Sequence, residues 1–190
     1  MVWIFDSNSY FVDPSMADDT GDGLTELTAK QTLAAVIGLT PPAGSTIFLA
    51  GGTHTVTSAT VVLIPDGVNF VGGGYEVTTI ECDPEDPNEE FLRLNGTNKF
   101  EGINLRGALT GDGMIFNSTT SGVAIDLTLE NCRLAATDEL LELALQTIGT
   151  HQIRVKNCVL TSGGKASFNL GGYAAEITFE DCLTDVMNSL

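Results

Sequence analysis

The chain has 190 residues, of which 43% are hydrophobic and 21 are glycine, and its 25 acidic and 8 basic residues give a formal net charge of −17. That length and apolar content exclude a disordered chain and fit one domain, taken as residues 1–190, with a real core. The negative charge argues against nucleic-acid or anionic-membrane partners, and no apolar run is long enough to span a bilayer.

In chain order, Val2–Phe5 and Tyr10-Phe-Val-Asp-Pro14 read as one or two short strands. Met1–Asp6 has no basic flank and only a brief apolar stretch, so no secretory signal is expected. The polar loop Asp18-Asp-Thr-Gly-Asp-Gly23 holds several carboxylates, but it lacks the spacing and closing glutamate of a calcium loop and reads as a turn. Thr28-Ala-Lys-Gln31 has the form of a capping box, which predicts a helix over residues 29–39 with Leu33, Val36 and Ile37 on one face. Pro41-Pro42 would end it.

Short strands then follow quickly: 45–49, 53–56, 60–64, 68–71 and 77–82, with glycine pairs and Pro65-Asp-Gly67 turning between them. Residues 83–90 are rich in acids and proline and read as an exposed loop.

From about residue 91 the chain repeats itself. Leu127-Thr-Leu-Glu-Asn-Cys-Arg-Leu134, Ile153-Arg-Val-Lys-Asn-Cys-Val-Leu160 and Ile177-Thr-Phe-Glu-Asp-Cys-Leu-Thr184 are near-copies, and their cysteines lie 26 and 24 residues apart. Phe100-Glu-Gly-Ile-Asn-Leu105 is an earlier copy, with Gly102 at the Asn131/Asn157/Asp181 position and Ile103 at the cysteine position. The units divide as 91–112, 113–138, 139–165 and 166–190, each opening with a short apolar strand. Leu140–Leu145 favours helix by composition, but its place in the repeat predicts strand.

A period of about 24–30 residues with two or three strands per unit predicts a stacked solenoid in which no unit buries its apolar face alone. The expected fold is all-β: a single-stranded right-handed parallel β-helix of about five to six rungs. Residues 1–44 would form an N-terminal strand, loop and capping helix, and residues 45–190 the rungs. Inward ladders are expected at Phe100/Leu129/Val155/Phe179 and Ile103/Cys132/Cys158/Cys182. Gly, Asn and Asp at the position before the cysteine tolerate left-handed backbone and mark a bend. The widely spaced cysteines fit no zinc pattern and read as small reduced core residues. Nothing in the sequence calls for a metal or a cofactor. The helix would cover the N-terminal end, whereas no lid is evident at the other.

Tyr10-Phe-Val-Asp-Pro14, Thr20-Gly-Asp-Gly23, Thr32-Leu-Ala-Ala-Val-Ile37, Gly44-Ser-Thr-Ile-Phe-Leu49, Gly52-Thr-His54, Ile64-Pro-Asp-Gly67 and Val71-Gly-Gly-Gly74 occur in this order. The series resembles the N-terminal part of pectate-lyase-like right-handed parallel β-helix proteins. That resemblance implies a superfamily of polysaccharide lyases and hydrolases, bacterial surface proteins, and bacteriophage tailspike and capsid proteins, the phage members commonly trimeric.

Enzymes of this kind align an acid and a base across an outer groove. The weak catalytic candidates are Glu130, Lys156 and Glu180, which share one repeat position and should stack about 5 Å apart. Arg133 and Arg154 are expected nearby. An ordinary salt-bridge ladder is the preferred reading of the row, because structural ion pairs are the commoner cause of such clusters. His54 and His151 lack a nucleophile or acid at a recognisable spacing and read as surface or turn residues. Asn95-Gly-Thr97 and Asn117-Ser-Thr119 match a glycosylation sequon and are set aside for want of a signal segment.

With no acid–base pair singled out, the resemblance implies a non-enzymatic bacteriophage virion protein assembled in the host cytoplasm. It would be a homotrimeric capsid cement or decoration protein, or a tailspike-like component, with the major capsid protein or another virion protein as partner. A small polysaccharide lyase or hydrolase, or a carbohydrate-binding module, is the alternative, with a glycan as its ligand.

Overall fold

The computed structural model describes residues 8–56, 62–82, 92–107, 116–118, 123–136, 139–143, 150–162, 167–169 and 174–186. The strand expected at 2–5 and the acidic loop at 83–90 lie outside these residues.

The chain enters through strand β1 (Ser9–Val12), makes a polar excursion, forms helix α1 (Leu33–Gly38), and then winds in coils. The first coil is β2 (Thr46–Leu49), β3 (Gly52–Val56) and β4 (Val62–Ile64). The second is β5 (Asn69–Gly72), β6 (Thr78–Cys82) and β7 (Leu92–Leu94). The third is β8 (Thr97–Glu101), β9 (Asn104–Arg106) and β10 (Phe116–Ser118). The fourth is β11 (Asp126–Glu130), β12 (Arg133–Ala136) and β13 (Glu139–Leu143). The fifth is β14 (His151–Lys156), β15 (Val159–Ser162) and β16 (Ser167–Asn169), and β17 (Ala175–Glu180) and β18 (Leu183–Val186) begin a sixth.

Every third strand pairs in parallel, giving sheets of seven strands (β1-β2-β5-β8-β11-β14-β17), six (β3-β6-β9-β12-β15-β18) and five (β4-β7-β10-β13-β16). This is a parallel β-helix. The helix-favouring Leu140 region is strand β13, paired with β10 and β16 as the repeat requires. Local propensity loses there to the register of its neighbours.

The core follows from alternation. Inward positions of the seven-stranded sheet stack Tyr10, Ile47, Phe70, Phe100, Leu129, Val155 and Phe179 in register. The Phe70 and Phe100 rings lie 4.8 Å apart at 4°, and both are fully buried. Each such side chain contributes about 1.5–3 kcal/mol of transfer free energy.

The repeated phrase turns the chain from the seven-stranded to the six-stranded sheet. Gly102, Asn131, Asn157 and Asp181 have φ of 67°, 53°, 52° and 52°, the left-handed conformation that these residue types tolerate best. The bends stack as well, since the N–H groups of Gly102, Asn131 and Asn157 donate to Glu130, Lys156 and Glu180 carbonyls at 3.0, 3.0 and 2.9 Å. Just beyond, Cys132 and Cys158 are buried and Cys182 is partly buried, all three as free thiols.

The N-terminal cap differs from the capping-box expectation. Thr28 closes a short 3-10 turn, Glu26–Thr28, and the helix begins only at Leu33, capped by Thr32, whose Oγ1 accepts from Ala35 N–H at 3.2 Å. Lys30 cannot be helical because it bridges to Val12. Its N–H donates to Phe11 O at 3.0 Å, and its carbonyl accepts from Asp13 N–H at 2.8 Å. Gln31 spends its amide on Met16 O at 2.8 Å. The shorter helix still buries Leu33 and Val36 against the first coil.

At the opposite end Phe179 occupies the same ladder as Phe100, yet is 50% exposed; Leu183, 69% exposed, shares the outward row of Arg133 and Val159 on the six-stranded sheet. Among the described residues no further strand stacks on β17 and β18.

Candidate functional site

One row on the outer face of the seven-stranded sheet carries the candidate residues. Its members are Phe11, Phe48, Val71, Glu101, Glu130, Lys156 and Glu180, each opposite the next in register. The row has two halves of different chemistry.

The charged half holds the three sequence candidates. Glu130, Lys156 and Glu180 stack as expected, but the ion pairs divide them. Lys156 Nζ lies 3.5 Å from Glu180 Oε2. Glu130 is taken from the other side by Lys99, whose Nζ stands 2.7 Å from both Glu130 and Glu101. The side-chain hydrogen bond from Lys99 holds the Glu130 carboxyl below the usual glutamate range. Hydrogen bonds to Glu101 and then Glu130 hold the Lys99 ammonium above its ordinary value. Glu130 is therefore a poor proton donor and Lys99 a poor base.

Arg154 pairs with Asp126, and Gln152 Nε2 donates to Glu176 at 3.1 Å. Arg133, expected beside these groups, lies past the Asn131–Cys132 bend on the six-stranded sheet, opposite Asn104 and Val159. The bend carries it to another face.

The apolar half floors a cleft of about 580 Å³. Phe11 and Phe48 stack their rings at 5.5 Å and 21°, and Val71 extends the floor. The excursion after β1 folds back beside the sheet, and its Asp13, Glu26 and Ala29 complete the lining. Backbone bonds fix this excursion: Phe11 N–H donates to Gly23 O at 2.8 Å and Gly23 N–H to Thr28 O at 2.7 Å. The Asp13 carboxylate accepts from the Ser15 hydroxyl at 2.6 Å and the Ser15 N–H at 2.8 Å. Those bonds hold it below the ordinary aspartate range.

Sequence reasoning missed the cleft. Its signal was apolar residues at two outward strand positions, Phe48 and Val71, where the later rungs place charges. The rest of the lining depends on a fold-back that no local pattern reveals.

The acidic excursion supplies its own ligands. Asp18 accepts from Thr20, Asp22 from Leu24 N–H and Thr28 Oγ1, and Asp19 from Thr32 N–H and Oγ1 at 2.8 and 2.9 Å. Among the described residues no cluster of three His, Cys, Asp or Glu is arranged for a metal ion. The cysteine thiols of the repeat likewise point to main-chain carbonyls: Cys132 donates to Glu130 O at 3.3 Å and Cys158 to Lys156 O at 3.2 Å.

The two histidines are buried, not surface residues. His54 Nε2 bonds Ala50 O at 3.0 Å, and burial pushes its pKa down. His151 Nδ1 accepts from Ile125 N–H at 3.0 Å, and burial lowers its pKa as well. Each imidazole satisfies a main-chain group at a coil corner, which a sequence lacking that corner's geometry cannot indicate. Asn98 plays a similar part, its amide donating to Pro65 O and Val68 O at 2.9 and 3.0 Å.

No family model and no curated protein matches the sequence. Solved structures do match its fold. A pectin methylesterase from carrot aligns over 98% of this chain and 54% of its own, with a TM-score of 0.66 and 13% identity. Pectin methylesterase PemA from Erwinia chrysanthemi aligns over 80% and 49% (TM-score 0.55, 10% identity), and a rhamnogalacturonan lyase over 94% and 53% (TM-score 0.53, 15% identity). All are right-handed parallel β-helix proteins. This chain spans about half the length of each. At these identities the likeness establishes the fold alone.

Proposed function

We propose that this β-helix is a non-catalytic structural protein, working as a trimeric decoration or cement protein of a bacteriophage particle. The observation that carries the non-catalytic reading is the ion pairing of the outer row. Lys99 bridges Glu101 and Glu130, and Lys156 is drawn to Glu180. Acid–base cleavage of a glycosidic bond needs a protonated acid and a free base held across the substrate. Here Lys99 holds the Glu130 carboxyl ionised, and Lys156 stands against Glu180.

The assembly role draws on the sequence resemblance to phage β-helix proteins. It also draws on Phe179, an inward ladder residue that is half-exposed among the described residues. Light scattering of the purified chain, followed by co-sedimentation with capsids and tails, tests this role. A trimer that sediments with particles supports it. A strict monomer with no affinity for either component refutes it.

A second reading, a polysaccharide lyase or hydrolase, is favoured by the fold shared with a rhamnogalacturonan lyase and two pectin methylesterases. In that case Lys156 would be the base and Glu180 its acidic neighbour. Turnover on a panel of pectic and other polysaccharides, lost in Lys156→Ala or Glu180→Ala, would establish it.

A further inference from the structure

We propose that the outer edge of β3 accepts an extended, lysine- or arginine-bearing segment of a partner protein as an added strand. The inference rests on the reading of the protein as an assembly component and names what its partner presents.

The main chain is the first argument. β3 is the last strand of the six-stranded sheet and pairs on one side only, with β6. Gly52 N–H donates to Val77 O at 2.9 Å, so Gly52, His54 and Val56 turn their N–H and C=O groups toward β6. Thr53 and Thr55, between them, turn theirs the other way. Among the described residues no main-chain group meets them there, and both threonines are exposed. The other two sheets are closed at this end. The excursion pairs with β1 through Phe11 N–H to Gly23 O, Lys30 N–H to Phe11 O and Asp13 N–H to Lys30 O, and α1 packs over β4. Alternating N–H and C=O groups at strand spacing are complementary to another extended polypeptide.

Space is the second. A recess of about 170 Å³ is lined by Thr53 and Thr55 together with Pro14, Gln31 and Leu33 from the N-terminal cap. It leaves room for a short stretch of main chain. His54 lines it too. That imidazole is 3% exposed, bonds Ala50 O through Nε2 at 3.0 Å, and has no partner for Nδ1 among the described residues. The corner therefore lacks a hydrogen-bond donor as well as a neighbouring strand.

Charge is the third. Asp13, next to Pro14, is held ionised by its hydrogen bonds from Ser15, and Asp18 likewise by Thr20. Lys30 commits its ammonium to Asp19 O at 2.7 Å, and burial keeps His54 neutral. The margin is anionic, on a chain of net charge −17. A lysine or arginine on the added segment complements it, with an apolar stem to lie along Pro14 and Leu33.

The test begins with amide hydrogen exchange of the free full chain, resolved by NMR. Thr53 and Thr55 are expected to exchange freely while His54 and Val56 are protected. Three capped pentapeptides then probe the edge: Lys-Val-Ser-Val-Lys, its analogue N-methylated at the three central residues, and Glu-Val-Ser-Val-Glu. The first is expected to protect Thr53 and Thr55 and to bind about tenfold more tightly than either of the others. The methylated analogue loses main-chain bonds, and the glutamate peptide loses the charge match. Thr55→Pro removes one edge N–H. Proline is tolerated in an edge strand where that N–H faces away from the sheet, so the variant should keep the wild-type thermal melt and lose the peptide.

Protection of Thr53 and Thr55 in the free chain, equal binding of the methylated analogue, or no binding at millimolar peptide would overturn the proposal. Should Thr55→Pro not fold, the exchange pattern and the methylated analogue still decide. Fibres that form with rising concentration and vanish in Thr55→Pro would give the edge to a second copy and overturn the choice of partner. A chain that takes up the lysine peptide yet sediments with neither capsids nor tails would refute the assembly reading alone.

Discussion

Truncating two phenylalanines of one ladder compares a fully buried rung with a half-exposed one. Phe100 and Phe179 occupy equivalent inward positions, three coils apart on the seven-stranded sheet. Phe100 is 0% exposed and stacks on Phe70 with ring centroids 4.8 Å apart. Phe100→Ala loses the whole transfer term, leaves an enclosed cavity and forfeits the stack, so it should cost about 3–5 kcal/mol. Phe179 is 50% exposed. Phe179→Ala loses about half the transfer term, which gives roughly 1 kcal/mol. Urea unfolding followed by far-UV circular dichroism, at equal protein concentration and with m-values compared, measures both. Equal losses would mean that Phe179 is as enclosed in solution as Phe100, and the reasoning from its exposure would fall.

Other outcomes follow from the bends, the ion pairs and the buried imidazoles. Asn157 has φ of 52°, so Asn157→Ala should lose about 1–2 kcal/mol by thermal or urea denaturation while Asn157→Gly loses less. Lys99→Ala removes the cation that depresses Glu130, so Glu130 should titrate at higher pH in a carboxyl-detected NMR titration. The folded pKa of Glu130 lies below its unfolded value. Its contribution is therefore present above the unfolded pKa and lost as pH falls through the folded one. Both partners are partly exposed, so that contribution stays below about 1 kcal/mol and fades with salt. His54 has a folded pKa below its unfolded value because of burial. As pH drops below about 6.5 the unfolded chain takes up the proton first, so stability falls until the folded pKa is passed. His54→Gln should flatten that part of the stability–pH curve, and an unchanged slope would contradict the assignment.

Much of the architecture could be read from the repeated phrase, because a solenoid writes the same local requirement once per coil. Asn131, Asn157 and Asp181 each need a left-handed backbone, and the residue following each must face inward. Those two facts fix the register of the seven- and six-stranded sheets and assign the Leu140 region to a strand against its own propensity. What escaped the sequence depends on contacts between distant segments. The Thr28–Gln31 capping box fails because Lys30 is claimed by Val12 in another strand. The Glu130–Lys156–Glu180 row is legible as a stack. Its division by Lys99, two residues back along the neighbouring strand, depends on side-chain reach. The buried roles of His54 and His151 follow from carbonyl and N–H groups at corners that only the folded coil creates. The cleft needs both the outward Phe48 and Val71 and the fold-back of the Glu26 segment, and only the first half is written locally.

The central claim is that the outer charged row supports the coil and does no chemistry. Its most direct test is mass-spectrometric detection of products from a broad polysaccharide panel incubated with the wild-type chain, Lys156→Ala and Glu180→Ala. The account predicts no product from any of the three. Products from the wild type that vanish in either variant would contradict it.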